Sequence, residues 1–145
     1  MKCDRLKGLW LAAALAALLG SAPASRADST LYDDLGGKES LTKIVDYAMT
    51  AYLTDPRISD QFDNINIDRL KERLFLQFCE LTGGPCKYPG RDMKAAHKGL
   101  HLDSAQFNAL VEDLQDAMDK VGVSFRIQNR FLALLAPMKP QVVTR

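Results

Sequence analysis

Nowhere in these 145 residues do lysines and arginines gather into a block or stripe; 19 basic against 18 acidic side chains leave a net charge of +1. That gives nucleic-acid binding no electrostatic footing. No stretch alternates apolar and polar residues in the manner of a strand, and no internal repeat or low-complexity run occurs. No apolar run reaches the ~20 residues that a membrane-spanning helix needs. Histidine is scarce, with only His97 and His101. What is present is an ordinary globular composition, 47% hydrophobic and 26% charged, long enough for one domain with a real core.

The first 27 residues read as an export signal rather than as part of that domain. Lys2, Arg5 and Lys7 form a positive start diluted by Asp4, and Gly8 to Gly20 is a short apolar run. Ala22-Pro-Ala24 and Ser25-Arg-Ala27 then resemble small-x-small cleavage sites. An uncleaved N-terminal anchor is the alternative. Cleavage would remove four basic residues (Lys2, Arg5, Lys7, Arg26) and one acidic one (Asp4), taking the net charge from +1 to −2. A periplasmic or secreted domain of residues 28–145, free of the membrane, is the expectation.

Export changes how the cysteines read. Cys3 would leave with the signal, so Cys79 and Cys86 remain, with Gly83-Gly84-Pro85 between them to turn the chain back. In an oxidising compartment such a pair favours a disulfide over two buried thiols.

The rest is helical. Ser29 or Thr30 can cap a short helix that Gly36-Gly37 breaks. Leu41, Ile44, Val45, Ala48, Met49 and Tyr52 form a helical stripe between Lys38 and Leu53, and Asp55-Pro56 opens a short turn to Phe62. Ile67, Leu70, Leu74, Phe78 and Leu81 recur at three and four on a long amphipathic helix ended by Gly83-Gly84. Asp103 or Ser104 caps a helix with Phe107, Leu110, Val111, Leu114 and Met118 on one face. Ser124 caps a last helix through Ile127, Phe131, Leu134, Leu135 and Met138, weakened late by Pro137. The spacing predicts an all-α fold with four longer helices and several short ones.

The exception to this economy is Tyr88-Pro-Gly-Arg-Asp-Met-Lys-Ala-Ala-His97-Lys-Gly-Leu100. About two helical turns can form from Arg91 to His97 before Gly99 stops them. Met93, Ala96, His97 and Leu100 share a face. A histidine on an apolar face needs partners for its ring nitrogens. One nitrogen can reach a carbonyl one turn back and leave the other for a metal. The plain alternative is a core histidine bonded to backbone. So short a helix barely holds itself together, so something must pack against it.

Four markers in order resemble the group I truncated haemoglobins, small haem proteins, over about residues 31 to 138. They are Leu31-Tyr-Asp-Asp-Leu-Gly-Gly37; Asp55-Pro-Arg-Ile-Ser-Asp-Gln-Phe62; Gly83-Gly84-Pro85 with Tyr88-Pro-Gly90; and Met93-Lys-Ala-Ala-His97-Lys-Gly99. The resemblance implies a globin-like two-over-two helical sandwich around a haem, with His97 bound to iron. It implies that Phe62 stacks on the porphyrin, a role compatible with a core phenylalanine. Leu70, Leu74 and Phe78 would cover one side, Met93 and Leu100 would flank His97, and Phe107 and Val111 would close the floor. Arg73 and Arg91 could pair with the propionates, or be solvated surface charges. Haem b (iron protoporphyrin IX) held non-covalently is implied, because no Cys-x-x-Cys-His occurs.

The chain departs from that family where bound oxygen is usually stabilised. The place of a second-helix tyrosine is held by Met49, and the two ligand-facing places on the long helix by Leu70 and Leu74. Met49 could instead ligate iron, though apolar filling beside the ring is the simpler role. Tyr47, Tyr52 and Gln77 stand near, with Gln77 the better substitute donor. The implied function is reversible binding of O2, CO or NO in an apolar distal pocket, by a monomer or weak dimer, with an electron donor as a further candidate partner. Haem enzymology on NO or peroxide is the first alternative. The second is a helical binding module without haem, or a zinc site at His97 and His101, a pair that Gly99 interrupts.

Overall fold

The computed structural model describes residues 29–145; the expected export signal lies outside the described residues. The described chain is all-α: α1 (Leu31–Asp34), α2 (Gly37–Thr54), α3 (Ile67–Leu81), α4 (Met93–Ala96), α5 (Ser104–Val121), α6 (Phe125–Leu135) and α7 (Lys139–Val142). Short 3-10 turns occupy Ser59–Phe62 and Ala136–Met138. Among the described residues there is no strand, and no helix is long and apolar enough to cross a membrane.

Side-chain caps set most helix starts. Thr30 and Asp33 form a reciprocal capping box at α1, as do Asp103 and Gln106 at α5. The Asn66 side chain accepts from the Arg69 N–H at α3. Asp92 does the same for Ala95 at 2.8 Å, so α4 begins at Met93 and is one turn long rather than the two expected from Arg91. The last helix also ends earlier than Met138. α6 stops at Leu135, tightens into the 3-10 turn carrying Pro137, and resumes as α7. A proline has no N–H to give to the ladder, so the tighter turn absorbs it.

The pair α2–α3 lies against the pair α5–α6, the two-over-two arrangement, with its tightest seam between α2 and α5. Leu41, Ile44 and Val45 of α2 meet Leu114, Ala117 and Met118 of α5 in a core with almost no exposure. Each such Leu, Ile or Met contributes roughly 1.5–3 kcal/mol by leaving water. α3 packs on α2 but closes poorly against α5 and α6. It touches α6 near its C-terminal end, where Phe78 meets Phe131 edge-on at 4.9 Å.

Two links hold the end of α3. The Tyr32 N–H donates to the Thr82 carbonyl at 2.9 Å, tying α1 to it. Cys79, fully buried, is bonded to Cys86 with a Cα separation of 5.7 Å, so the expected disulfide is present. Gly84 makes this possible: a Cβ there would stand 2.7 Å from Cys79 Sγ and 2.7 Å from the Tyr32 ring.

Candidate functional site

Because α3 does not close against α5 and α6, a cavity of about 730 Å³ lies between them, within the size range of small-molecule sites. Leu70, Leu74 and Phe78 of α3 form one wall. Phe107, Leu110, Val111 and Leu114 of α5 form another. Met93, Ala96, His97 and Leu100 line it from α4 and the turn that follows. Phe62 and Tyr52 close one end, and Leu135, Met138 and Val142 contribute from the chain's C-terminal part.

His97 terminates α4 as its C-cap residue. Its Nδ1 lies 2.8 Å from the Met93 carbonyl oxygen, one turn back. A carbonyl can only accept, so Nδ1 carries the proton and donates it. In the neutral ring the lone pair is then on Nε2, which makes no hydrogen bond among the described residues. The histidine is thus oriented as a one-point donor to an electrophile or metal in the cavity. His101, by contrast, sits exposed in left-handed backbone (φ 53°) and does not line the cavity. Among the described residues no cluster of three or more His, Cys, Asp and Glu could hold a metal ion by itself.

The arginines differ from one another. Arg73 lines the cavity with its Nη1 buried and without a hydrogen-bond partner. Leaving a charged donor unpaired in the interior is costly, so this nitrogen is placed to meet an anion. Arg91 is exposed and lines the cavity from the segment before α4. Arg69, not singled out from the sequence, lines it as well.

Met49 is almost fully buried in the core and is not among the residues lining the cavity. One turn on, Tyr52 takes the lining position. Its ring stacks on Phe62 with centroids 5.7 Å apart and planes 6° from parallel. Burial, with the Asp113 carboxylate as a smaller cause, pushes the Tyr52 phenol well above its ordinary range, so it remains a hydroxyl. Asp113, on α5, is itself raised by burial and then by Asp55, and its Oδ2 is buried without a partner. Gln77 lines the cavity with its amide already directed: Nε2 donates to Met93 Sδ at 3.2 Å and approaches Met138 Sδ at 3.9 Å.

Tyr88 and Met138 are lining residues that sequence reasoning missed. The signal for Tyr88 was its neighbour: a Cβ at Gly90 would fall 2.1 Å from the Tyr88 ring, so glycine is required where the ring folds over the chain. Met138 lay beyond Pro137, where the helix was expected to fade.

Residues 30–144 match the family model described as bacterial-like globin. A group 1 truncated hemoglobin, GlbN, of Mycolicibacterium paratuberculosis is 32% identical over 116 residues, covering 80% of this chain and 85% of that protein. The group 1 truncated hemoglobin GlbN of Synechocystis is 36% identical over 101 residues, 66% of this chain and 80% of that one. The crystal structure of the truncated hemoglobin from Tetrahymena pyriformis in its Fe(III) form superposes with a TM-score of 0.78 at 26% identity, covering 81% of this chain and all of that one.

Proposed function

The chain belongs to the bacterial-like globin family, and we propose that it holds a haem in the α3–α5 cavity through His97 and binds a small diatomic gas there. The observation that carries this reading is the His97 geometry: Nδ1 committed to the Met93 carbonyl, Nε2 left with its lone pair on a cavity-lining ring. The residues fit the group in three further respects. The cavity is large, and aliphatic and aromatic side chains dominate its walls. The unpaired Arg73 Nη1 suits a propionate, and Arg91 can reach a second from the rim. Cys79 and Cys86 are bonded to each other, so neither thiol is left for attachment, and haem b held non-covalently fits.

A bound ferrous haem would supply an open coordination position for O2, CO or NO. The protein's part is orientation and exclusion of water. The Met93 carbonyl fixes the His97 ring and makes Nε2 a better donor. Leu70 and Leu74 keep the opposite wall dry. Phe62, held flat against Tyr52, is positioned to stack on a planar group. The mature protein is assigned to the periplasm or the extracellular medium, where a disulfide such as Cys79–Cys86 persists.

Titrating the purified protein with haem tests the reading. A Soret band that saturates at one haem per chain, with a ferrous form that takes up CO, is expected. A titration with no saturable band would leave a helical binding module without haem.

A further inference from the structure

We infer that the Cys79–Cys86 bond is a thiol-redox latch on the haem cavity: a dithiol reductant that opens it lowers the affinity for haem, and bound haem in turn keeps it closed. The inference rests on the haem reading above and deepens it with a means of control. Cys79 follows the cavity-lining residues Gln77 and Phe78 on α3, and its own side chain is fully buried. Cys86 stands two residues before a strap, Tyr88-Pro-Gly-Arg91, and all four strap residues line the cavity. The bond therefore ties one wall of the cavity to the core. Glu80, next to Cys79, holds the same strap more weakly. Its Oε2 accepts the Tyr88 N–H at 2.9 Å, and its Oε1 accepts from the Lys87 ammonium at 3.1 Å. The Lys87 side chain is 90% exposed, so that ion pair restrains little.

Beyond Arg91 the chain runs directly into the Asp92 cap, α4 and His97. α4 has no buried residue and packs chiefly on α7, another single turn, so its own packing does little to fix it. Its place is set by tethers. The strap comes before it, the Gln77 amide meets Met93 within it, and after it the Leu102 carbonyl accepts the Thr144 and Arg145 N–H groups. With the strap released, a smaller fraction of chains holds the wall and His97 in the binding arrangement, and the apparent affinity falls by that fraction. Cys86 is the approachable end of the bond, partly buried between exposed Pro85 and Lys87. A thiolate of the reductant attacks Cys86 Sγ, the S–S bond breaks, and Cys79 leaves with the electron pair and takes up a proton. The reductant's second thiol then displaces Cys86, which is protonated in its turn. The protein gains two thiols and the reductant ends as a disulfide.

Coupling between two such events is reciprocal, so haem must resist the reductant as much as the reductant opposes haem. The wild-type chain is equilibrated with mixtures of reduced and oxidised dithiothreitol, with and without haem, and its thiols are counted by alkylation and mass. The haem is supplied as its ferrous CO complex, so that the reductant's sulfur does not compete for iron. Half-opening of the bond should need about a tenfold higher ratio of reduced to oxidised dithiol when haem is bound, with helicity retained in both states. The double change Cys79→Ser with Cys86→Ser should bind haem about tenfold more weakly than the oxidised chain, and added dithiol should not alter that affinity. Equal ratios with and without haem would overturn the inference. So would helicity that is lost in step with thiol exposure, which would mean that the bond holds the fold together and does not act on the cavity. If the double-serine variant does not fold, the wild-type titration decides alone. Failure of the wild-type chain to take up haem would instead overturn the parent reading and this one with it.

Discussion

The two faces of α5 look onto different kinds of interior. Toward α2 the seam is filled: Leu41, Ile44 and Met118 are all at 0% exposure. Toward the cavity, Leu70 and Leu74 are only partly buried, and α4 is a single turn with no buried residue. The first region packs on itself. The second is a set of walls whose proper contents are not protein. A scaffold with a dense seam can hold open a cavity beside it, because the seam supplies the stability that the cavity walls do not.

Four experiments would sharpen or break this contrast. Leu41→Ala, in the dense seam, should cost up to about 5 kcal/mol in denaturant unfolding of the haem-free protein, through lost burial and a new void. Leu74→Ala, already facing open space, should cost under about 1 kcal/mol in the same assay; equal costs would mean the two regions are packed alike. Haem at a thousandfold excess over its Kd should add about 4 kcal/mol, roughly 10–20 °C in Tm for a domain of this size. That gain should vanish in variants that fill the cavity, such as Ala96→Phe. The double change Cys79→Ser with Cys86→Ser should cost about 2–3 kcal/mol by chain-entropy reasoning, and should loosen the Tyr88–Gly90 wall in hydrogen exchange before it loosens the α2–α5 seam.

A further expected effect is electrostatic. The folded protein raises the Asp113 carboxyl, through burial and the nearby Asp55. The folded state therefore binds this proton more tightly than the unfolded chain does. Stability is lost as pH climbs from the ordinary carboxylate range through the raised value, and the penalty is complete above it. Asp113→Asn should stabilise the fold at pH 7, a gain that shrinks as pH falls into the ordinary carboxylate range. A constant difference across that range would show that packing, not titration, governs the site.

Much of this contrast was legible from residue order, and the reasons are local. The Ile67–Leu81 stripe is set by period alone, and the His97-to-carbonyl bond follows from one turn of helix, so both could be read from spacing. Capping residues gave α1 and α5 their starts for the same reason. Periodicity does not distinguish a residue facing another side chain from one facing a cavity. Met49 and Tyr52 share a stripe and only the packing of α5 and Phe62 separates their roles. The Met138 and Val142 contribution was hidden for another reason. Pro137 reads as weakening the last turn, but the chain continues and its Thr144 N–H returns to the Leu102 carbonyl at 2.9 Å. The unpaired Arg73 nitrogen is a tertiary property with no local trace.

The central claim is that the histidine after α4 is the metal ligand of this cavity, and His97→Gly with added imidazole tests it most directly. The account predicts that the ferrous haem spectrum of His97→Gly departs from wild type and returns toward it as imidazole fills the vacated position. A His97→Gly protein whose haem spectrum matches wild type without imidazole would contradict it.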